Sequence, residues 1–293
     1  MVDNGKERRE EILALLGEAK SNQSEGNLEK AEELYRTAYK LAEESGDGRL
    51  AGAALGQLSI LEEAKGNTGE ALALNEQSAN LFMAAGDAPG LLLAKRSRGI
   101  LLLKARGIEE AIEPLSFSVG LSLQMGSQYM IETLREIVGV SRYLQQQSRL
   151  EDLLLLGAGI NEAIKKFESE VHPLSEDEEM VWFGEMARAV SGMFSAVGFL
   201  VSVANGKEEA PDKATIFRIA REAVHQAWLV DAWTQIAWKM VEWITETLEE
   251  FVDALGIREE WDDAEMANFS LDVHAHDEPA SSDVDIEEAD IDW

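Results

Sequence analysis

The sequence predicts an all-α chain: stacked helix pairs forming an α-solenoid, then a helical C-terminal domain, then a disordered acidic tail. Three observations carry this. Landmark residues recur every 40 positions: Ala31, Ala71 and Ala111; Leu41, Leu81 and Leu121; Gly46, Gly86 and Gly126. Within a unit the apolar residues Leu28, Ala31, Leu34, Tyr35, Ala38 and Leu41 follow the 3-and-4 spacing that lays one buried stripe along a helix. After Leu255-Gly256 the composition shifts, and residues 257–293 hold 14 acids and one Arg. A unit of 40 residues cannot bury both its helices alone, so neighbouring units must stack.

The first helix begins among Asp3, Lys6, Glu7, Arg8, Arg9, Glu10 and Glu11, where an export signal would need unbroken apolar residues. Cytoplasmic residence is therefore the expectation. The segments Gly26-Asn-Leu-Glu-Lys-Ala31, Gly66-Asn-Thr-Gly-Glu-Ala71 and Arg106-Gly-Ile-Glu-Glu-Ala111 open the second helix of each unit. Glu29, Glu70, Glu109 and Glu110 complement the positive end of the helix dipole there, and Asn27 and Asn67 are candidate caps. The Ala at 31, 71 and 111 lets the paired helix approach closely. Gly46, Gly86 and Gly126 should end these helices in a left-handed cap. Pro114 removes a backbone donor from the third unit's second helix, which predicts a late start or a kink. The units run at about 9–46, 47–86 and 87–126. A degenerate one follows at 127–168, where Leu150-Glu-Asp-Leu153 echoes Leu28-Glu-Lys-Ala31 after a two-residue insertion, so the repeat domain spans 1–168.

These residues resemble the tetratricopeptide repeat, in its 40-residue variety whose longer second helix ends in Gly-Asp, as Gly46-Asp47 and Gly86-Asp87 do. The resemblance is good over about 9–128 and weaker to about 168; Asn75 departs from it where Tyr35 supplies an aromatic ring. What the resemblance implies is a platform for protein or peptide binding, with no chemistry of its own. It also implies that the first helices line a groove, faced by Leu16, Lys20, Ile60, Arg96, Ile100 and Leu103. The Lys and Asn pattern that clamps a C-terminal carboxylate in some relatives is not reproduced.

A second domain is expected over 175–256. Ser175-Glu-Asp-Glu178 is a capping box opening a long helix. Residues 189–206 carry no charge over 18 positions, but Ser191, Ser195, Ser202, Asn205, Gly192 and Gly198 make them too polar for a membrane span, so a buried helix is expected. Pro211 suits the first turn of the next helix. Trp228, Trp233, Trp238 and Trp243 are spaced by five, which advances each ring by about 140° past a full turn and scatters the four around one straight helix. They are core residues of an enclosed helix or a partner surface. The tail, residues 257–293, is expected to be mobile and to serve either as a solubilising tail or as a short linear motif anchored by Val284, Ile286, Ile291 and Trp293.

The composition excludes much chemistry. With 26 Lys and Arg against 56 Asp and Glu the net charge is −30, which repels nucleic-acid backbones and anionic membranes. The absence of Cys excludes disulfides, zinc ribbons, iron–sulfur sites and thiol nucleophiles. His274-Ala-His276-Asp277, with Asp272, has metal-binding residue types but no preorganisation in a mobile tail, so no metal site is expected. Gly157-Ala-Gly159 lacks the strand and third Gly of a dinucleotide loop, and no cofactor is expected. The function expected is a non-catalytic scaffold or adaptor. Its alternatives are an enzyme with a site around His172, Trp182, Glu185 and His225, and a membrane-associated adaptor through residues 189–206.

Charge singles out one stretch. Between Ala88 and Ile108 stand Lys95, Arg96, Arg98, Lys104 and Arg106 with no acid, followed by Arg135, Arg142 and Arg149 at intervals of seven, read as one side of one helix. Either internal ion pairs or an acidic, apolar-studded protein ligand accounts for them. The chain's own tail, through Ile291 and Trp293, is a candidate for that ligand.

Overall fold

The computed structural model describes residues 3–147, 149–170, 178–204 and 206–234, together with 244, 245, 248, 249, 251–253 and 255–257. Among the described residues all regular structure is helical, in a run of consecutive antiparallel helices: α1 (Asp3–Ser24), α2 (Leu28–Ser45), α3 (Gly48–Ala64), α4 (Thr68–Ala84), α5 (Ala88–Ala105), α6 (Ile108–Met125), α7 (Ser127–Gln146), α8 (Leu150–Glu170), α9 (Glu178–Ala204) and α10 (Lys213–Thr234). No described helix is long and apolar enough to cross a membrane.

The 40-residue register is physical. Ala31, Ala71 and Ala111 are all fully buried, and the pairs α1–α2, α3–α4 and α5–α6 pack closely. The facing position also repeats: Ala19, Ser59 and Gly99 stand 40 apart, all small because the second helix crosses there. Ser59 Oγ donates to the Ala71 carbonyl at 2.8 Å, and a Cβ on Gly99 would lie 2.5 Å from Leu115. Between the second and third units the Phe82 ring acts as a bolt. It lies so close to α3 and α5 that a Cβ would come within 3.1 Å of it at Gly52 and 2.2 Å at Gly90.

The helix ends differ in part from expectation. Gly46 is a left-handed cap (φ 70°, ψ 17°), and Gly86, with φ 63°, ends the turn after α4. Gly126 ends α6 with φ 111° and ψ 177°, a positive-φ conformation that favours glycine but differs in ψ from the left-handed cap at Gly46, and α7 begins directly at Ser127. Asn27 and Asn67 do not cap. The Asn67 amide turns instead to Glu62 Oε2 at 2.7 Å. Capping falls to the inter-repeat aspartates, with Asp47 accepting from the Leu50 N–H at 3.1 Å and Asp87 from the Gly90 N–H at 3.3 Å. Pro114 is a buried interior residue of α6, which starts at Ile108, so the expected late start does not occur.

The core is small in the first two units and large beyond them. Clusters around Ile12, Tyr35 and Leu58 hold the first units, while one continuous cluster runs from Ala71 through α5–α10 to Ile257. Each fully buried Leu or Ile there contributes about 1.5–3 kcal/mol. The fourth unit departs from the pattern: α8 packs chiefly on α6 and α9 and only lightly on α7, with Gly159 against Ile112 and Ser116. The uncharged stretch of α9 buries one side, with Val190, Met193, Phe194, Val197, Leu200 and Val201 in the core, while Gly192 and Ser195 are exposed, so the helix is not enclosed all round as expected. Ser175 and the tail beyond Ile257 lie outside the described residues.

Candidate binding face

The first helices α1, α3 and α5 turn one stripe to the core and an opposite stripe outward. In α3 the buried residues are Leu50, Ala51, Gly52, Ala54, Leu55, Leu58, Ser59, Leu61 and Glu62, leaving Arg49, Ala53, Gly56 and Ile60 on the other side at helical spacing, with Gly56 half-buried at the edge next to Ser78 of α4. Translated by 40 the same stripe reads Arg9, Leu13, Leu16 and Lys20 on α1, and Leu93, Arg96 and Ile100 on α5. Three of the six large apolar side chains recorded as exposed among the described residues fall on it: Leu13 at 48%, Ile60 at 42% and Leu93 at 49%. Leu16 and Ile100 are half-buried and Lys20 is exposed. Leu13 and Leu93 share one register position with Ala53, a row not singled out in the sequence because exposure cannot be read from hydrophobicity.

Charge on this face is asymmetric. Lys20 and Arg49 are exposed and form no ion pair with the described residues, and they stand at opposite ends of the stripe. Arg9 pairs with Asp47 at 3.5 Å.

The basic stretch of α5 is neutralised by the fold. Lys95 pairs with Glu113 at 3.3 Å and lies 5.0 Å above the Phe117 ring. Arg96 meets Glu136 of α7 at 4.0 Å, Arg98 meets Glu76 at 3.4 Å, Lys104 meets Glu63 at 2.9 Å and Arg106 meets Glu110 at 2.9 Å. Solvent-accessible pairs of this kind contribute about 0–1 kcal/mol each, and each basic side chain of the stretch has a carboxylate within 4.0 Å. Leu103, expected to face the groove, is 3% exposed in the main core. Arg149 is not on the helix of Arg135 and Arg142: α7 ends at Gln146, and Arg149 pairs with Asp152 at the start of α8. Arg135 is exposed and Arg142 half-buried.

In the C-terminal half, Trp228 is half-buried against the main core and stacks on His225, with ring centroids 6.3 Å apart and planes 11° apart. The side chains of Trp182, Glu185 and Trp233, and residues His172, Trp238, Trp243, Ile291 and Trp293, lie outside the described residues.

An electrostatic cluster joins the first two units behind this face. Glu62, only 5% exposed, accepts from the Asn67 amide and from Lys65 Nζ at 2.9 Å, and Lys65 also bonds Glu32 of α2. The Asn67 hydrogen bond, then Lys65, holds the Glu62 carboxyl below its ordinary range; Lys65, then Arg36, does so for Glu32. The two carboxylates push the Lys65 ammonium up.

With this geometry in place, residues 10–84 match the family model of the tetratricopeptide repeat, covering α2–α4 and most of α1. This part of the chain belongs to the tetratricopeptide repeat superfamily. Such repeats are generally protein–protein interaction modules and typically non-catalytic. No curated protein matches the chain.

Proposed function

We propose that the chain is a non-catalytic adaptor that binds a protein or peptide along the outward stripe of α1, α3 and α5. The observation that carries this reading is the row of exposed apolar side chains, Leu13, Ile60 and Leu93, on equivalent faces of successive first helices. Apolar groups left in water at repeating positions gain free energy only when a partner covers them. Lys20 and Arg49, at the two ends and without an ion pair among the described residues, favour a ligand with apolar anchors between acidic residues. A partner buried against the stripe would use Leu13, Leu16, Ile60 and Leu93 as its contacts, with Arg96, Ile100 and Lys104 at the far edge.

Affinity capture from the native host tests the reading, comparing wild type with a Leu13→Ser, Ile60→Ser, Leu93→Ser variant and with a Phe117→Ser, Leu155→Ser control. Phe117 and Leu155 are also exposed, at 40% and 41%, but stand on second helices. The expected outcome is a set of partners held by wild type and control and lost from the triple variant. Partners held by the triple variant and lost from the control would refute it.

A further inference from the structure

We infer that the open ion pair between Arg96 and Glu136 is a specificity site that takes the neutral carboxamide of an Asn or Gln side chain on the ligand. The inference rests on the proposed binding face and adds the chemistry read at its C-terminal end. Arg96 of α5 and Glu136 of α7 stand 40 apart, so one register position on successive first helices supplies both charges.

The pair is not closed. Arg96 Nη2 and Glu136 Oε1 lie 4.0 Å apart, beyond hydrogen-bond distance, and neither side chain makes a hydrogen bond among the described residues. The other four basic side chains of the stretch each donate one: Lys95 to Glu113 and Arg98 to the Leu72 carbonyl at 3.3 Å, Lys104 to Glu63 and Arg106 to Glu110 at 2.9 Å. Arg96 Nη1 is buried with no acceptor. Thr133, one turn before Glu136 on the same side of α7, is 1% exposed, and its hydroxyl is likewise without a partner. The Arg96 side chain, 13% exposed, has lost most of its water and still lacks acceptors, whereas Glu136, 31% exposed, stays open to solvent. One turn away on either side along α5 stand the exposed Leu93 and the half-buried Ile100.

An unclosed pair presents donors on one side and acceptors on the other. A carboxamide matches both, its carbonyl accepting from Arg96 and its NH2 donating to Glu136. A carboxylate would satisfy Arg96 but meet Glu136 as a like charge. An ammonium would satisfy Glu136 but meet Arg96 in the same way. The pair therefore selects a neutral group with both a donor and an acceptor, set beside the apolar anchors that Leu93 and Ile100 receive. Acidic ligand residues are favoured elsewhere, at Lys20 of α1 and Arg49 of α3.

A displayed library of random 12-residue peptides, selected on the full-length protein, supplies the probe. Peptides bound by wild type and not by the Leu13→Ser, Ile60→Ser, Leu93→Ser variant are ligands of the stripe; a selection that yields none would overturn the proposed function and this inference with it. In the stripe ligands one Asn or Gln position is expected, at which Glu or Lys weakens binding by about tenfold or more. Glu136→Gln should restore binding of the Glu peptide, and Arg96→Gln that of the Lys peptide. Loss of fold cannot produce such a reversal, and helical circular dichroism checks each variant. Stripe ligands with no such Asn or Gln position, or an order of Gln, Glu and Lys peptides that Glu136→Gln leaves unchanged, would overturn the inference and leave the proposed function standing.

Discussion

Phe82 shows how one side chain sets the geometry of a repeat stack. Its ring passes over α3 at Gly52 and over α5 at Gly90, so the absence of two Cβ atoms brings three helices together. Gly90→Ala places a methyl group within 2.2 Å of the ring and should cost about 1–3 kcal/mol, read as a lowered Tm. Phe82→Leu in the same chain should recover part of that loss, a coupling measurable as a double-mutant cycle. The Glu62–Lys65–Glu32 cluster makes a second residue-scale prediction. Both carboxyls are held below their ordinary value of 4.5, so the stabilisation is present above that value and is lost as pH falls through the lowered folded-state value. Glu62→Gln should reduce stability at neutral pH by about 1.5–3 kcal/mol, the range for hydrogen bonds to charged groups, and should flatten the fall of Tm on acidification. An acid limb as steep as wild type would show that the cluster does not govern it. Lys65 titrates above its ordinary 10.5 and adds nothing to the acid limb.

Among elements, the caps separate what the repeat pattern shows from what it hides. Asp47→Ala and Asp87→Ala each remove a side-chain acceptor at a helix start and should cost about 0.5–2 kcal/mol. Asn27→Ala removes no cap bond and should cost less, as thermal melts will show. Asn is a plausible cap by type, but a buried Glu62 competes for the Asn67 amide, and only the packed structure brings the two together. The helix pairs were legible because Ala31, Ala71 and Ala111 mark a crossing that tolerates only small residues. Replacing Ala71 by Leu should overpack it by about 1–3 kcal/mol. The fourth unit was poorly legible for the same reason: its second helix abandons α7 for α6, and a change of packing partner leaves no periodic mark. On the outward stripe, Leu16, Lys20, Ile60, Arg96 and Ile100 could be placed by register. Leu103 could not, because it packs into the main core, and the ion pairs of the basic stretch come from acids on four other helices.

At the scale of the molecule, the outward stripe of α1, α3 and α5 is the feature that packing leaves unused, and the large core from Ala71 to Ile257 anchors it. Residues beyond about 265 carry few apolar groups and many like charges, so truncation there should leave the helical signal and cooperative unfolding of the remainder intact. The central claim is that the stripe bearing Leu13, Ile60 and Leu93 is where a protein partner sits. Hydrogen exchange on the complex of wild-type chain with its captured partner tests that most directly. Slowed exchange in α1, α3 and α5, with α2, α4 and α6 unchanged, is the predicted result; protection confined to the second helices, with the first helices exchanging as in the free chain, would contradict it.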